Sequence, residues 1–93
     1  MIRSFACKET EALFNRNKVK KIPSNIQRTA FKKLRMLDAA INLKDLLIPP
    51  SNRLEKLKGD REGQYSIRIN DQFRVCFKFV GSDALEVEIA DYH

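Results

Sequence analysis

Apolar and polar positions alternate in three stretches near the end of the chain: Gln64 to Ile69, Phe73 to Val80 and Ala84 to Tyr92. A period of two belongs to half-buried strands, so Tyr65/Ile67/Ile69, Phe73/Val75/Phe77/Phe79 and Leu85/Val87/Ile89 are the predicted inward sets. Leu54 to Leu57 is a candidate for one more strand. Upstream the period changes. Ile26, Ala30, Leu34, Leu37 and Ile41 recur at helical spacing, and Ser24 with Gln27 forms a potential capping box behind Pro23. Glu9 to Asn17 reads as an earlier helix carrying Ala12, Leu13 and Phe14, with Glu9 and Glu11 suited to its positive end. Ile2 to Ala6 reads as a short strand, Lys18 to Lys21 as a basic loop, and Leu43 to Leu47 as a single helical turn before the proline-enforced loop at Pro49-Pro50-Ser51. This order predicts an α+β fold: an antiparallel sheet, made of a short N-terminal strand and a C-terminal meander, with two main helices packed on one face.

A chain of 93 residues supports one core and one domain, residues 1–93. No stretch approaches the roughly 20 apolar residues that span a bilayer, and the first residues turn polar before a signal-peptide core develops. A soluble, intracellular protein without membrane association is expected. Cys7 and Cys76 read as free thiols, and one histidine leaves a structural zinc site without ligands; no metal or cofactor is expected. Charge changes the picture more. Eighteen Lys and Arg against twelve Asp and Glu give +6, an excess that favours a polyanionic partner such as nucleic acid. Arg28, Lys32 and Arg35 also align on one helix face, as a solvated face or as a contact for RNA or a partner.

Register follows from the inward sets, because residues sharing the buried face must pair across each hairpin. Ile69 opposite Phe73 leaves Asn70-Asp71-Gln72 as the loop and sets Arg68 against Arg74 on the other face. Two guanidiniums so placed repel unless something neutralises them, either an anion between them or neighbouring Glu86 or Glu88. Leu85 opposite Phe79 puts Glu86 beside Lys78. Tyr92 falls on the face of Arg68 and Arg74, and a ring beside cations is what single-stranded RNA binding uses.

Leu57-Lys58-Gly59-Asp60-Arg61-Glu62-Gly63, Tyr65 to Asn70, Phe73-Arg74-Val75 and the terminal Asp91-Tyr92-His93 together resemble the HigB toxins of the RelE/ParE superfamily. The likeness extends over nearly the whole chain in element order and is most specific from Asn52 to His93. It implies a curved sheet flanked by helices, cleavage of mRNA in the decoding site of the ribosome, and a bacterial cytoplasmic toxin. It also implies a HigA-like antitoxin with a helix-turn-helix domain, through which the complex would sit on operator DNA. By motif position, Lys58, Arg74, Asp91, Tyr92 and His93 match residues that the family uses at its cleavage site. Some HigB relatives carry histidine three residues before the motif lysine, where this chain has Glu55; YoeB-like toxins are similar in having glutamate there.

RNA is cut without metal when its 2′-hydroxyl attacks the adjacent phosphate, which needs a base, cations and an acid. With a single histidine, Glu55 becomes the candidate base and His93 the candidate acid, its imidazole titrating near neutrality. Lys58, Arg68 and Arg74 are expected to hold the phosphate, and Tyr92 to stack on a base or orient the phosphate. Asp91, Arg61 and Lys78 are expected in support. Two rivals remain. ParE-like toxins share the scaffold, act on DNA gyrase and lack the cluster that Lys58, Arg74 and His93 represent. A non-enzymatic nucleic-acid-binding module would need the basic charge alone.

Overall fold

The structure, a computed structural model, describes residues 1–92. Its main elements are helices α1 (Lys8–Phe14) and α2 (Ser24–Ala39), then strands β1 (Glu55–Lys56), β2 (Tyr65–Arg68), β3 (Phe73–Val80) and β4 (Asp83–Asp91). Short 3-10 turns cover Leu43–Leu47, Pro50–Asn52 and Gly59–Arg61. The four strands form an antiparallel sheet in the order β1-β2-β3-β4. This is the expected α+β architecture, with one refinement at the N-terminus. Ile2 and Phe5 each make an isolated parallel bridge to β4, at Ala84 and Val87, so the predicted N-terminal strand is discontinuous and runs parallel to its neighbour.

Both helices pack on one face. Ile26, Ala30, Leu34 and Leu37 of α2 are buried against Ile67, Val75, Phe77 and Val87 of the sheet. Thr10 of α1, itself buried, accepts from the Ile89 amide at 3.0 Å and so fastens the first helix to β4. Three expectations for α2 need correction. Ile41 is 68% exposed, because the helix ends at Ala39 and the Asp45 carboxylate accepts from the amides of Ile41 and Asn42, drawing the chain outward. The buried position there is Ala40. Ser24 makes no capping bond, and Pro23 stands at the cap. Gln27 instead donates to the carbonyls of Val19 and Ile22, closing the basic loop onto the helix. The reciprocal capping box lies at Asn42 and Asp45.

The β2–β3 register agrees with expectation, pairing Ile67 with Val75 and Arg68 with Arg74. In β3–β4 the predicted register holds at Val75–Ile89 and slips by one residue near the turn, where Phe79 faces Ala84 rather than Leu85. Glu86, with φ of 51°, lies in the bulge, and it turns Ala84 into the core in place of Leu85. The strand at Leu54 to Leu57 exists over Glu55–Lys56, and the Leu57 amide extends its ladder to the Gln64 carbonyl.

Candidate active site

The sheet face turned away from the helices is not purely solvated. Register aligns Glu55, Ser66, Cys76 and Glu88 in one row across all four strands. Beside it runs a second row of Arg68, Arg74 and Ala90. Ser66 and Cys76 are fully buried here, and neither Cys76 nor Leu57 belongs to the core cluster beneath the helices.

Arg74 is the best-anchored side chain on this face. Its Nε donates to Ser66 Oγ at 2.6 Å and its Nη2 to the Arg53 carbonyl at 2.6 Å. Glu55 Oε2 stands 3.7 Å from Nη2; the Arg74 side chain is 13% exposed, the Glu55 side chain 61%. Arg53 presents that carbonyl from a left-handed backbone, with φ of 44°. A guanidinium fixed in this way meets an anion with little reorganisation.

Arg61 lies on the same face. It donates to Glu88 Oε1 at 2.7 Å and to Gln64 Oε1 at 3.1 Å, which ties the turn after Lys58 to β4. Burial works against its charge, but the Glu88 carboxylate together with Cys76 and Tyr92 outweighs this and holds its pKa above the usual arginine value. Tyr92 interacts with the Cys76 thiol and feels the charges of Arg61 and Arg74. Burial first, then Cys76, pushes the tyrosine hydroxyl up, against the two guanidiniums. Burial likewise raises the Cys76 thiol. Gln72 holds the end of β4 in place: its carbonyl accepts from the Tyr92 amide, and its side chain donates to Asp91 Oδ2 at 3.1 Å.

The fold thus brings Glu55, Arg74, Arg61 and Tyr92 together. Other expected residues are engaged elsewhere, exposed or outside the described residues. Arg68 pairs with Asp71 in its own hairpin and Arg74 stands beside Glu55, so a separate carboxylate offsets each guanidinium, while Glu86 and Glu88 pair with Lys78 and Arg61 instead. Lys78 pairs with Glu86 at 2.6 Å, toward the far end of β3. Lys58 is exposed at the start of the Gly59–Arg61 turn, and its side chain has no partner among the described residues. His93 lies outside the described residues. Ser66 and Cys76 were not expected in the site, although their alternation parity matches that of Arg68 and Arg74 and would have found them. The Arg53 carbonyl left no signal, because a backbone acceptor is blind to side-chain type. Among the described residues no group of three His, Cys, Asp or Glu converges as metal ligands, and no helix is long and apolar enough to cross a membrane.

An antiparallel sheet with helices on one face and an anchored arginine on the other defines a small α+β protein. Its fold matches chains of two solved YoeB–YefM structures from Staphylococcus aureus, with TM-scores of 0.61 and 0.60 at 19% identity over 100% of this chain and 98% of each matched chain. Residues 3–93 match the family model described as the RelE-like toxin of the type II toxin-antitoxin system HigB. The chain is 50% identical to Toxin HigB-1 of Vibrio cholerae over 64 residues, covering 69% of this chain and 67% of that protein. It is 33% identical to Endoribonuclease HigB of Proteus vulgaris over the full length of both. The chain belongs to the HigB-like toxin family of type II toxin–antitoxin systems.

Proposed function

We propose that this chain acts as one domain that cuts mRNA on the ribosome, a metal-independent endoribonuclease that arrests translation in the bacterial cytoplasm. The observation that carries this reading is Arg74, locked by Ser66 and the Arg53 carbonyl 3.7 Å from the Glu55 carboxylate. A phosphate at that guanidinium would bring a neighbouring 2′-hydroxyl within reach of Glu55. The carboxylate takes the hydroxyl proton, the 2′-oxygen bonds to phosphorus, and the bond from phosphorus to the 5′-oxygen breaks. His93 returns a proton to the departing oxygen, leaving a cyclic phosphate and a 5′-hydroxyl. Arg74 and Lys58 stabilise charge on the phosphoryl oxygens as it develops. Tyr92 stacks on a base or orients the phosphate, Asp91 and Arg61 support the site's edges, and Arg68 and Lys78 meet the backbone farther along the strand.

Support also comes from the Proteus vulgaris relative, whose name states endoribonuclease activity. The fold neighbours are toxins in complex with an antitoxin, which supports an inhibitory partner, in this branch a HigA-like protein with a helix-turn-helix domain. Mapping mRNA 5′ ends after brief induction tests the reading: cuts at fixed codon positions are expected, and they should be lost in Glu55→Gln and His93→Gln. Growth arrest with intact mRNA, or inhibition of gyrase supercoiling instead, would overturn it.

A further inference from the structure

The helix side of the molecule carries a groove that the proposed chemistry does not use. It runs from the end of α1 along the outer side of α2, holds about 650 Å³, and is lined by Leu13, Arg16, Gln27, Arg28, Phe31 and Lys32. It continues past Arg35 and Met36. From Gln27 to Met36 the track spans roughly 13 Å at the helical rise, about two and a half turns. Arg16, in a left-handed conformation with φ of 62°, carries its guanidinium 4.9 Å from the Phe31 ring centroid, and Arg35 reaches the same ring at 6.0 Å.

Four cations line this groove and no carboxylate does. None of the four has an ion-pair partner among the described residues, whereas Arg61, Arg68, Arg74 and Lys78 of the sheet face each have one. The charge here is uncompensated, and it flanks an apolar floor of Leu13, Phe31 and Met36.

We infer that this groove docks an acidic amphipathic helix of a partner protein, whose apolar side chains enter beside Phe31 while carboxylates at helical spacing meet Arg16, Arg28, Lys32 and Arg35. A phosphodiester backbone is anionic but brings no apolar side chain for the floor, and a base would have to displace two guanidiniums already on the Phe31 ring. A second copy of this chain would set four cations against four. The α2 surface opposite the groove is the one buried on the sheet, so a helix docked here leaves Arg74 and Glu55 uncovered. Binding at this groove and access to the sheet face are therefore independent.

The test uses the full chain and a synthetic helix of about 18 residues, or five turns, with leucines on one face and glutamates flanking them. A scrambled peptide of equal charge and a short oligouridylate serve as controls, and affinity is read by fluorescence anisotropy. The amphipathic peptide should bind at least about tenfold more tightly than the scrambled one, and this preference should vanish in Arg28→Glu/Lys32→Glu and in Phe31→Ala. Arg74→Ala should leave it unchanged, which separates this site from the proposed catalytic face. Circular dichroism checks folding, and the exposed charge reversals carry the test if Phe31→Ala unfolds. Equal binding of both peptides, no binding of either, full competition by oligouridylate, or a dimer that excludes the peptide would each overturn the proposal.

Discussion

Ser66 Oγ is a fully buried acceptor, 2.6 Å from Arg74 Nε. Removing it should cost more in function than in fold. Ser66→Ala gives up one hydrogen bond to a charged group, about 1.5 kcal/mol of stability. It also frees the guanidinium to rotate, and turnover in a ribosome cleavage assay should fall by about tenfold, with less change in KM. An unchanged rate would mean that the Arg53 carbonyl alone fixes Arg74. Cys76 beneath the same face bears on pH. Burial raises its thiol above the usual value, so the folded chain keeps this proton to higher pH than the unfolded chain does. Its contribution is therefore intact below the ordinary thiol pKa of about 8.5 and is lost as pH rises through the raised folded value. Cys76→Ala should flatten the alkaline fall in stability, measured by urea unfolding between about pH 7.5 and about pH 10. Tyr92, also raised, acts at higher pH: its contribution is intact below the ordinary tyrosine pKa of about 10 and is lost above it.

At the scale of elements, what the sequence revealed and what it hid divide along a physical line. Alternation placed β2, β3 and β4 and most of their inward residues, because a strand buried on one face must obey period two. It missed the bulge, since Glu86 in a left-handed conformation has no distinguishing neighbour in the sequence. The helical stripe was legible through Leu37 and failed at Ile41, because the stop came from a carboxylate four residues further on, beyond the reach of a periodic pattern. The difference is measurable. Leu34→Ala, at a fully buried position, should cost about 2–5 kcal/mol in denaturant unfolding, whereas Ile41→Ser should fall within about 0.5 kcal/mol of the parent. A large loss at Ile41 would mean that the helix continues past Ala39. Within the site, Glu55, Arg74 and Tyr92 were legible from motif and parity. Their anchors were not, because Ser66 resembles any polar strand residue and the Arg53 carbonyl belongs to the backbone.

The whole molecule carries +6, and that excess is unevenly compensated. Arg61, Arg68, Arg74 and Lys78 on the sheet face have carboxylates beside them, while the cations along α2 have none among the described residues. A polyanion that displaces several such contacts releases counterions, so affinity for ribosomes should fall steeply with salt. The slope of log affinity against log salt should shrink by roughly one for each cation removed from the contact surface. A slope unchanged in a variant lacking Arg68 and Lys78 would exclude those two from the RNA path.

The sheet's margins have a consequence of their own. On one side β1 is two residues long and both are charged, Glu55 and Lys56. On the other, the backbone of the N-terminal segment pairs with β4 at two separated bridges, with the Glu86 bulge between their β4 partners. Neither border offers a long, flat run of free amides and carbonyls, so this small β-rich chain resists growth by strand addition and the aggregation that such growth begins. Recognition by another macromolecule must then be written in side chains, on the two broad surfaces that the margins separate.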